Sequence, residues 1–368
     1  MFLRLNTVVG ALALMFAATI NTAVHADSGI STVPMRSTVS SEPISLHFER
    51  PDLDRIGKLV FMGGLELKSS DSRFGGLSGL LVSKDGRSLL AVSDRGYWVG
   101  ATLDYKNDRI ASVQNLLIAP LLDTDGGDMT MLSKADADAE ALTEIPGSGL
   151  VVSFEGNHRL WHYGATIGNA MNIKRPLPLP LPVDVVHTVS ELPSNGGLES
   201  LAALADGTVM AISERGFDDA KETVRGWLFG QYGVQSLTYR VKDSFLPTDL
   251  AALPNGDVLV LERRFNLLQG LSSRVRLIKS DAVRAASRGE EKPLEAETVA
   301  TLAFPYNIDN MEGMAVRQDE KGRTIIYLVS DDNYNPLQRT LLMMFRLEEN
   351  SEPVPAAPSK GVIIATGQ

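Results

Sequence analysis

The chain has 368 residues, enough for one large or two ordinary domains, and its 44% hydrophobic and 22% charged content is that of a globular protein. A formal net charge of −10 argues against nucleic acid or an anionic membrane as the main partner, since both select basic faces, and is compatible with cation binding. The absence of cysteine excludes disulfides, thiolate nucleophiles and cysteine-based zinc sites.

In chain order, residues 1–26 read as a secretory signal. Arg4 supplies the positive start, residues 7–20 an apolar core, and Val24-His25-Ala26 a small-residue cleavage site. That core falls short of the ~20 residues a membrane span needs. Cleavage after Ala26 is therefore expected, leaving a periplasmic or secreted protein with no integral membrane segment. Residues 27–56, rich in Ser, Thr and Pro at first, read as a flexible leader. Residues 57–348 carry a strand pattern, and residues 349–368 read as a disordered tail.

Within 57–348 one unit recurs five times, over 78–96, 140–159, 196–217, 248–265 and 312–333. Each copy has an apolar strand, a Gly-containing turn, a second apolar strand, and then acidic residues with Arg or Asn nearby. The closing acids Asp94, Glu155, Glu214, Glu262 and Asp331 lie 61, 59, 48 and 69 residues apart. A four-stranded propeller blade with its connections needs about that length. The pattern predicts an all-β fold, a β-propeller of five blades, or six if a degenerate blade hides in the 69-residue interval. The strand at 58–68 is expected to complete the last blade beside the strand at 340–347, closing the ring and removing exposed edges. Strands at 98–105 and 110–119 complete blade one, the run RPLPLPLP at 175–182 reads as a stiff polyproline-like connector, and 280–291 is the best helix.

In a hairpin the start of the first strand and the end of the second share an edge, so two columns of residues should meet at the mouth of the central channel. One column is Ser78, Glu140, Glu199, Thr248 with Asp249, and Glu312; the other is the five closing acids. Arg95, Arg159, Arg215, Arg263 and Asn333 stand beside the second column. Carboxylates converging on an axis can hold Ca²⁺, which takes 6 to 8 oxygens. Arginines beside them can fork onto the phosphate or carboxylate oxygens of a substrate. The competing reading is a set of Asp/Glu–Arg pairs that lock each blade to its neighbour. Asp123, Asp125 and Asp128 also have calcium-loop spacing, against the simpler reading of a solvated acidic turn, and His158 is the histidine expected at the mouth. No nucleophile elbow, H-E-x-x-H or P-loop is present.

These strings resemble the phytase-like family, also called the esterase-like activity of phytase domain, of exported bacterial proteins. The segments that carry the resemblance are SGLLVSKDGRSLLAVSDRG, DADAEALTEIP with VVSFEGNHRLW, GGLESLAALADG with ISERG, FLPTDLAALPNGDVLVLERRFN, and NMEGMAVRQDEKGR with VSDDNYNPLQRT. The resemblance implies a β-propeller and a Ca²⁺-assisted hydrolysis of esters, phosphate esters first. It implies Glu140, Glu155, Glu199, Glu262, Glu312 and Asp331 as metal ligands, Glu199, Glu312 and Glu214 in catalysis, and Arg95, Arg159, Arg215, Arg263 and Asn333 on the substrate. The substrate would be a small anionic ester and the protein a monomer. A lactonase-like carboxyl-ester hydrolase and a non-catalytic binding scaffold remain the alternatives.

Overall fold

The computed structural model describes residues 34–348 except 170, 172–174, 180, 232 and 269; the signal segment and the tail lie outside the described residues. From Met35 onward the chain lays down β1 (Met35–Arg36), β2 (Ser40–Ile44), β3 (Arg55–Ile56) and β4 (Leu59–Lys68). Blade one follows as β5 (Leu77–Val82), β6 (Ser88–Ser93), β7 (Tyr97–Lys106) and β8 (Arg109–Pro120), and then the short helix α1 (Lys134–Ala137). Blade two is β9 (Ala139–Ile145), β10 (Gly149–Phe154), β11 (Arg159–Tyr163) and β12 (Pro176–Pro178), with helix α2 (Val183–Ser190) leading onward. Blade three is β13 (Ser200–Ala203), β14 (Val209–Phe217), β15 (Thr223–Gly230) and β16 (Gly233–Arg240). Blade four is β17 (Leu246–Ala252), β18 (Val258–Asn266), β19 (Gly270–Ile278) and β20 (Ala296–Ala303), with α3 (Ser280–Ser287) between the last two. Blade five is β21 (Asn310–Gln318), β22 (Thr324–Asp331) and β23 (Thr340–Leu347), completed by β4.

Each blade runs antiparallel from an inner strand outward, and the five inner strands β5, β9, β13, β17 and β21 neighbour one another in a closed ring. The count is five blades, with no sixth among the described residues. As expected, β4 pairs with β23, Thr340 opposite Leu67, and closes the ring.

The segment expected as a leader departs from that reading from Met35 onward. There β1 pairs with the outer edge of β8, and β2 and β3 pair with β4. The outermost strands of blades five and one would otherwise present open edges, and this segment covers them. The proline run also does more than connect, because Pro176–Pro178 pairs with β11 as the edge strand of blade two. An edge strand is where proline is tolerated, since its missing donor faces away from the ladder.

Why the strands read as continuous apolar runs is visible in the seams. Along β18, Val258 and Val260 enter the core shared with blade three, while Leu259 and Leu261 enter the core shared with blade five. Along β6, Leu89 and Ala91 face blade five, and Leu90 and Val92 face blade two. Each blade is buried on both faces, so both parities must be apolar. Near the axis the inner strands touch backbone to backbone. A Cβ on Gly79 would lie 2.4 Å from the Leu142 nitrogen, and one on Gly313 2.3 Å from the Ser78 oxygen.

Candidate active site and metal centre

Four members of the first column, Ser78, Glu140, Thr248 and Glu312, sit at β-bulges. Pairing of β9 with β10 skips Glu140, that of β21 with β22 skips Glu312, and that of β17 with β18 skips Thr248. The β5–β6 ladder shifts in the same way across Ser78 and Gly79. A bulge leaves one residue unpaired and re-aims its side chain. Glu199 stands just ahead of β13, where the Gly197 carbonyl accepts from the backbone nitrogens of both Glu199 and Glu214.

Asp249, next to the bulge of blade four, is a structural tie. Its buried carboxylate accepts from the Leu250 nitrogen (2.8 Å), from the Met314 nitrogen of blade five (2.6 Å), and from the Leu201 backbone of blade three.

Two groups form at the mouth. In the first, on blade two, carboxylate oxygens of Asp138, Glu140 and Glu155 all lie within 4.8 Å of one another. Glu155 is buried, and one of its oxygens accepts from the backbone nitrogens of Gly196 and Gly197. Asp138 and Glu140 share a hydrogen bond, which requires a proton on one of them. Burial, then Asp138, Glu199 and Glu155, push the Glu140 carboxyl well above the usual range. Burial also raises Asp138, although Glu140 and Lys134 pull the other way. Lys134 of α1 is the nearby cation, 2.8 Å from Asp138 and 3.0 Å from Asp94. Burial opposes its charge, but Asp138 and Asp94 hold its pKa above the ordinary lysine value. The other Asp94 oxygen is buried without a partner.

The second group joins blades three, four and five. Arg263 donates through Nη1 to Asn310 and to Glu312 Oε1, both at 2.6 Å, and through Nη2 to Glu214 at 3.0 Å. Asn310 Nδ2 also donates to Glu312 Oε1, at 2.8 Å, and among the described residues Oε2 accepts no hydrogen bond. Burial outweighs the pull of Arg263 and sets Glu312 at about 7. Burial and then Glu312 lift Asp331 to about 8. Glu199, buried between the groups, is raised well above the usual range by burial, then by Glu214, Glu312 and Glu155.

Other expected residues are placed elsewhere. Glu262 is fully buried inside blade four, bound by Arg274 (2.6 Å), Arg276 (3.2 Å) and the Tyr239 hydroxyl (2.6 Å). Two guanidinium groups already neutralise it, so it offers nothing to a cation. Arg159 donates to the carbonyls of Asn157 and Asp136 and lies over the rings of Phe154 and Trp161. Arg215 reaches Glu214 at 2.9 Å, an ion pair without the alignment of a hydrogen bond, and Asn195 at 2.9 Å. Arg95 is exposed, 3.4 Å over the ring of Tyr334, and exposed Asn333 donates its backbone nitrogen to Asp331. His158 binds the Pro193 carbonyl at 3.0 Å. Asp123 and Asp128 cap their own turns, accepting from Asp125 and Gly127 and from Thr130.

Sequence reasoning missed Lys134 and Asn310. The i,i+4 spacing of Lys134 and Asp138 was the available signal.

The donor set suits a hard cation. Two oxygens bound to one Ca²⁺ at about 2.3–2.6 Å are at most about 5 Å apart, and the three carboxylates of blade two already meet that limit. All are oxygen donors, with neither sulfur nor imidazole among them, as Ca²⁺ prefers.

The family model described as phytase-like, esterase-like activity of phytase, matches residues 72–334, and the chain belongs to that family. No curated protein matches it significantly in sequence. Among solved structures it is similar to a protein of unknown function from Dyadobacter fermentans, at 12% identity and TM-score 0.40 over 86% of this chain and 96% of that one. It is likewise similar to an α-L-arabinofuranosidase from Podospora anserina in complex with cellotriose, at 13% identity and TM-score 0.39 over 86% and 99%. A third is a Myceliophteria thermophila β-propeller domain (Swd1), at 9% identity and TM-score 0.34 over 84% and 100%. No helix among the described residues is long and apolar enough to cross a membrane.

Proposed function

We propose that this propeller is a Ca²⁺-assisted hydrolase of small anionic esters, phosphate esters first, working outside the cytoplasm on the strength of residues 1–26. The observation that carries the reading is the trio Asp138, Glu140 and Glu155, with three oxygens within 4.8 Å and Lys134 as the cation beside them. So many buried carboxyl groups are costly unless a cation or protons neutralise them. Those three would hold the ion, with Glu199 adjoining them. When bound, the ion supplies the positive charge that lets an anionic ester approach an acidic mouth.

Proton transfer falls to Glu312. A carboxyl set at about 7 can both hold and release a proton near neutral pH. Arg263 and Asn310 pin Oε1, so Oε2 is the oxygen that exchanges the proton with water or with the leaving alcohol. Exposed Arg95, Arg215 and Asn333 stand at the rim, where an anionic substrate would enter.

The test is a melting curve in EDTA and then in Ca²⁺, followed by a panel of phosphate and carboxyl esters. Calcium should raise Tm and confer turnover. Glu312→Gln should keep the calcium response and lose about 100-fold or more in kcat, whereas Glu140→Gln should lose both. Absence of any calcium response and of turnover would defeat the reading. The ties from Arg263 to Glu214 and Glu312 favour a second reading, a non-catalytic scaffold. A calcium response without turnover on any ester would select it.

A further inference from the structure

The face opposite the acidic mouth carries a different chemistry. The turn between β5 and β6, the turn between β7 and β8, and the turn between β21 and β22 all lie at the end of their strands remote from the mouth. Between blades one and five they enclose a cleft of about 400 Å³, lined by Lys84, Arg87, Arg317, Lys321 and Arg323 among others. Clefts that bind small molecules begin at about 300 Å³.

Most of the acids lining it are already engaged. Asp108 pairs with Lys321 (2.8 Å) and Arg323 (3.1 Å), and Asp319 pairs with Arg323 at 2.6 Å. Asp85 accepts from Ser83 and from the Arg87 backbone. On the basic side Lys84, Arg87 and Arg317 form no salt bridge among the described residues, and of the three only Arg317 is half-buried. Its Nε donates to the Tyr327 hydroxyl at 3.0 Å; that hydroxyl is 2.8 Å from the Tyr105 oxygen, and Tyr105 donates to the Gly86 carbonyl at 2.6 Å. The proton order is then fixed from Arg317 through both phenols to Gly86, and the hydroxyls have no hydrogen left for a ligand. A Cβ on Gly86 would fall 2.7–2.8 Å from the guanidinium, so glycine gives Arg317 its place.

We infer that this cleft binds the oxyanion of a small organic molecule, a phosphate or a carboxylate, with the guanidinium of Arg317, which forms no salt bridge among the described residues, as the fork and exposed Arg87 and Lys84 at the rim. A planar guanidinium matches either anion through two parallel hydrogen bonds.

The test titrates phenyl phosphate, with benzoate as competitor, into the full-length protein in EDTA by calorimetry. Chelation separates this site from the mouth, whose carboxylates repel anions when no cation is bound. Saturable binding is expected, weakened about tenfold or more by Arg317→Met, as loss of a charge-assisted hydrogen bond implies. Arg87→Ala, an exposed change that leaves the fold intact, should weaken it about twofold. No saturable binding by the wild type, or wild-type affinity in the variants, overturns the inference. Should Arg317→Met fail to fold, Arg87→Ala decides.

Discussion

Glu155 and Glu262 hold the same place in the repeat, at the mouth-side end of the second strand of blades two and four, and they have opposite surroundings. Glu262 is locked between Arg274 and Arg276, which alternate along the neighbouring β19. Glu155 receives only backbone N–H groups and faces two further carboxyl groups. The strand beside it, β11, carries one arginine, and that arginine is turned to carbonyls. A repeated acid is therefore not one site copied five times. Where the adjacent strand brings its own cations the acid is structural, and where it does not the acid is open to a ligand.

The strongest way to break this comparison is Glu262→Gln. Removing the shared partner leaves buried Arg276 without a counter-charge and Arg274 with only the exposed Asp243, and loss of one member of a buried ion pair costs about 3–5 kcal/mol. Urea denaturation should show that loss equally with EDTA and with Ca²⁺. A small loss that calcium restores would mean that Glu262 belongs to the open set after all.

Arg263 tests the boundary between the two kinds of acid, because it belongs to blade four yet neutralises Glu214 of blade three and Glu312 of blade five. Arg263→Gln should cost about 2–3 kcal/mol in EDTA. Here, in contrast to Glu262→Gln, part of the loss should return at pH 5, where protons replace the missing cation.

Much of this was legible in the sequence. Five spaced hairpins gave the blade number, and the strand at 58–68 gave the closure, because a propeller demands a partner for β23. The strands of 35–44 were not legible, since short polar edge strands are specified by the edge they cover rather than by their own pattern. At the site the two columns were visible as residue types, but not which members had counter-charges. Arg274 and Arg276 sit on the third strand of the blade, outside the repeated unit, and Lys134 comes from a loop helix. The bulges that aim Glu140 and Glu312 leave no composition signal.

The pH dependence sharpens the same contrast without mutation. Glu312 at about 7 and Asp331 at about 8 both lie above their unfolded values of 4.5 and 3.8. Below the unfolded values both states are protonated, and there is no penalty. As pH rises toward 7 and 8 the unfolded chain ionises first, so native stability is progressively lost. In EDTA, Tm should therefore fall between pH 5 and pH 8, and Ca²⁺, which favours the ionised mouth, should flatten the slope. A Tm that holds level or rises across that range in EDTA would contradict the site described here.

The smallest expected effect has an unusual sign. Glu140→Gln removes one of three crowded carboxyl groups, and its amide can donate to Asp138 without needing a shared proton. In EDTA the variant should be more stable than the wild type by about 1 kcal/mol, the scale of one like-charge contact relieved or one hydrogen bond improved. In saturating calcium the order should reverse. A ligand at 100 times its Kd stabilises the wild type by about 2.7 kcal/mol, and the variant, short of one ligand, gains little. Crossing of the two stabilities between EDTA and calcium, read from Tm, is what an open acid predicts. At Glu262 no such crossing should occur, because the cations that would compete with calcium are covalently part of the chain.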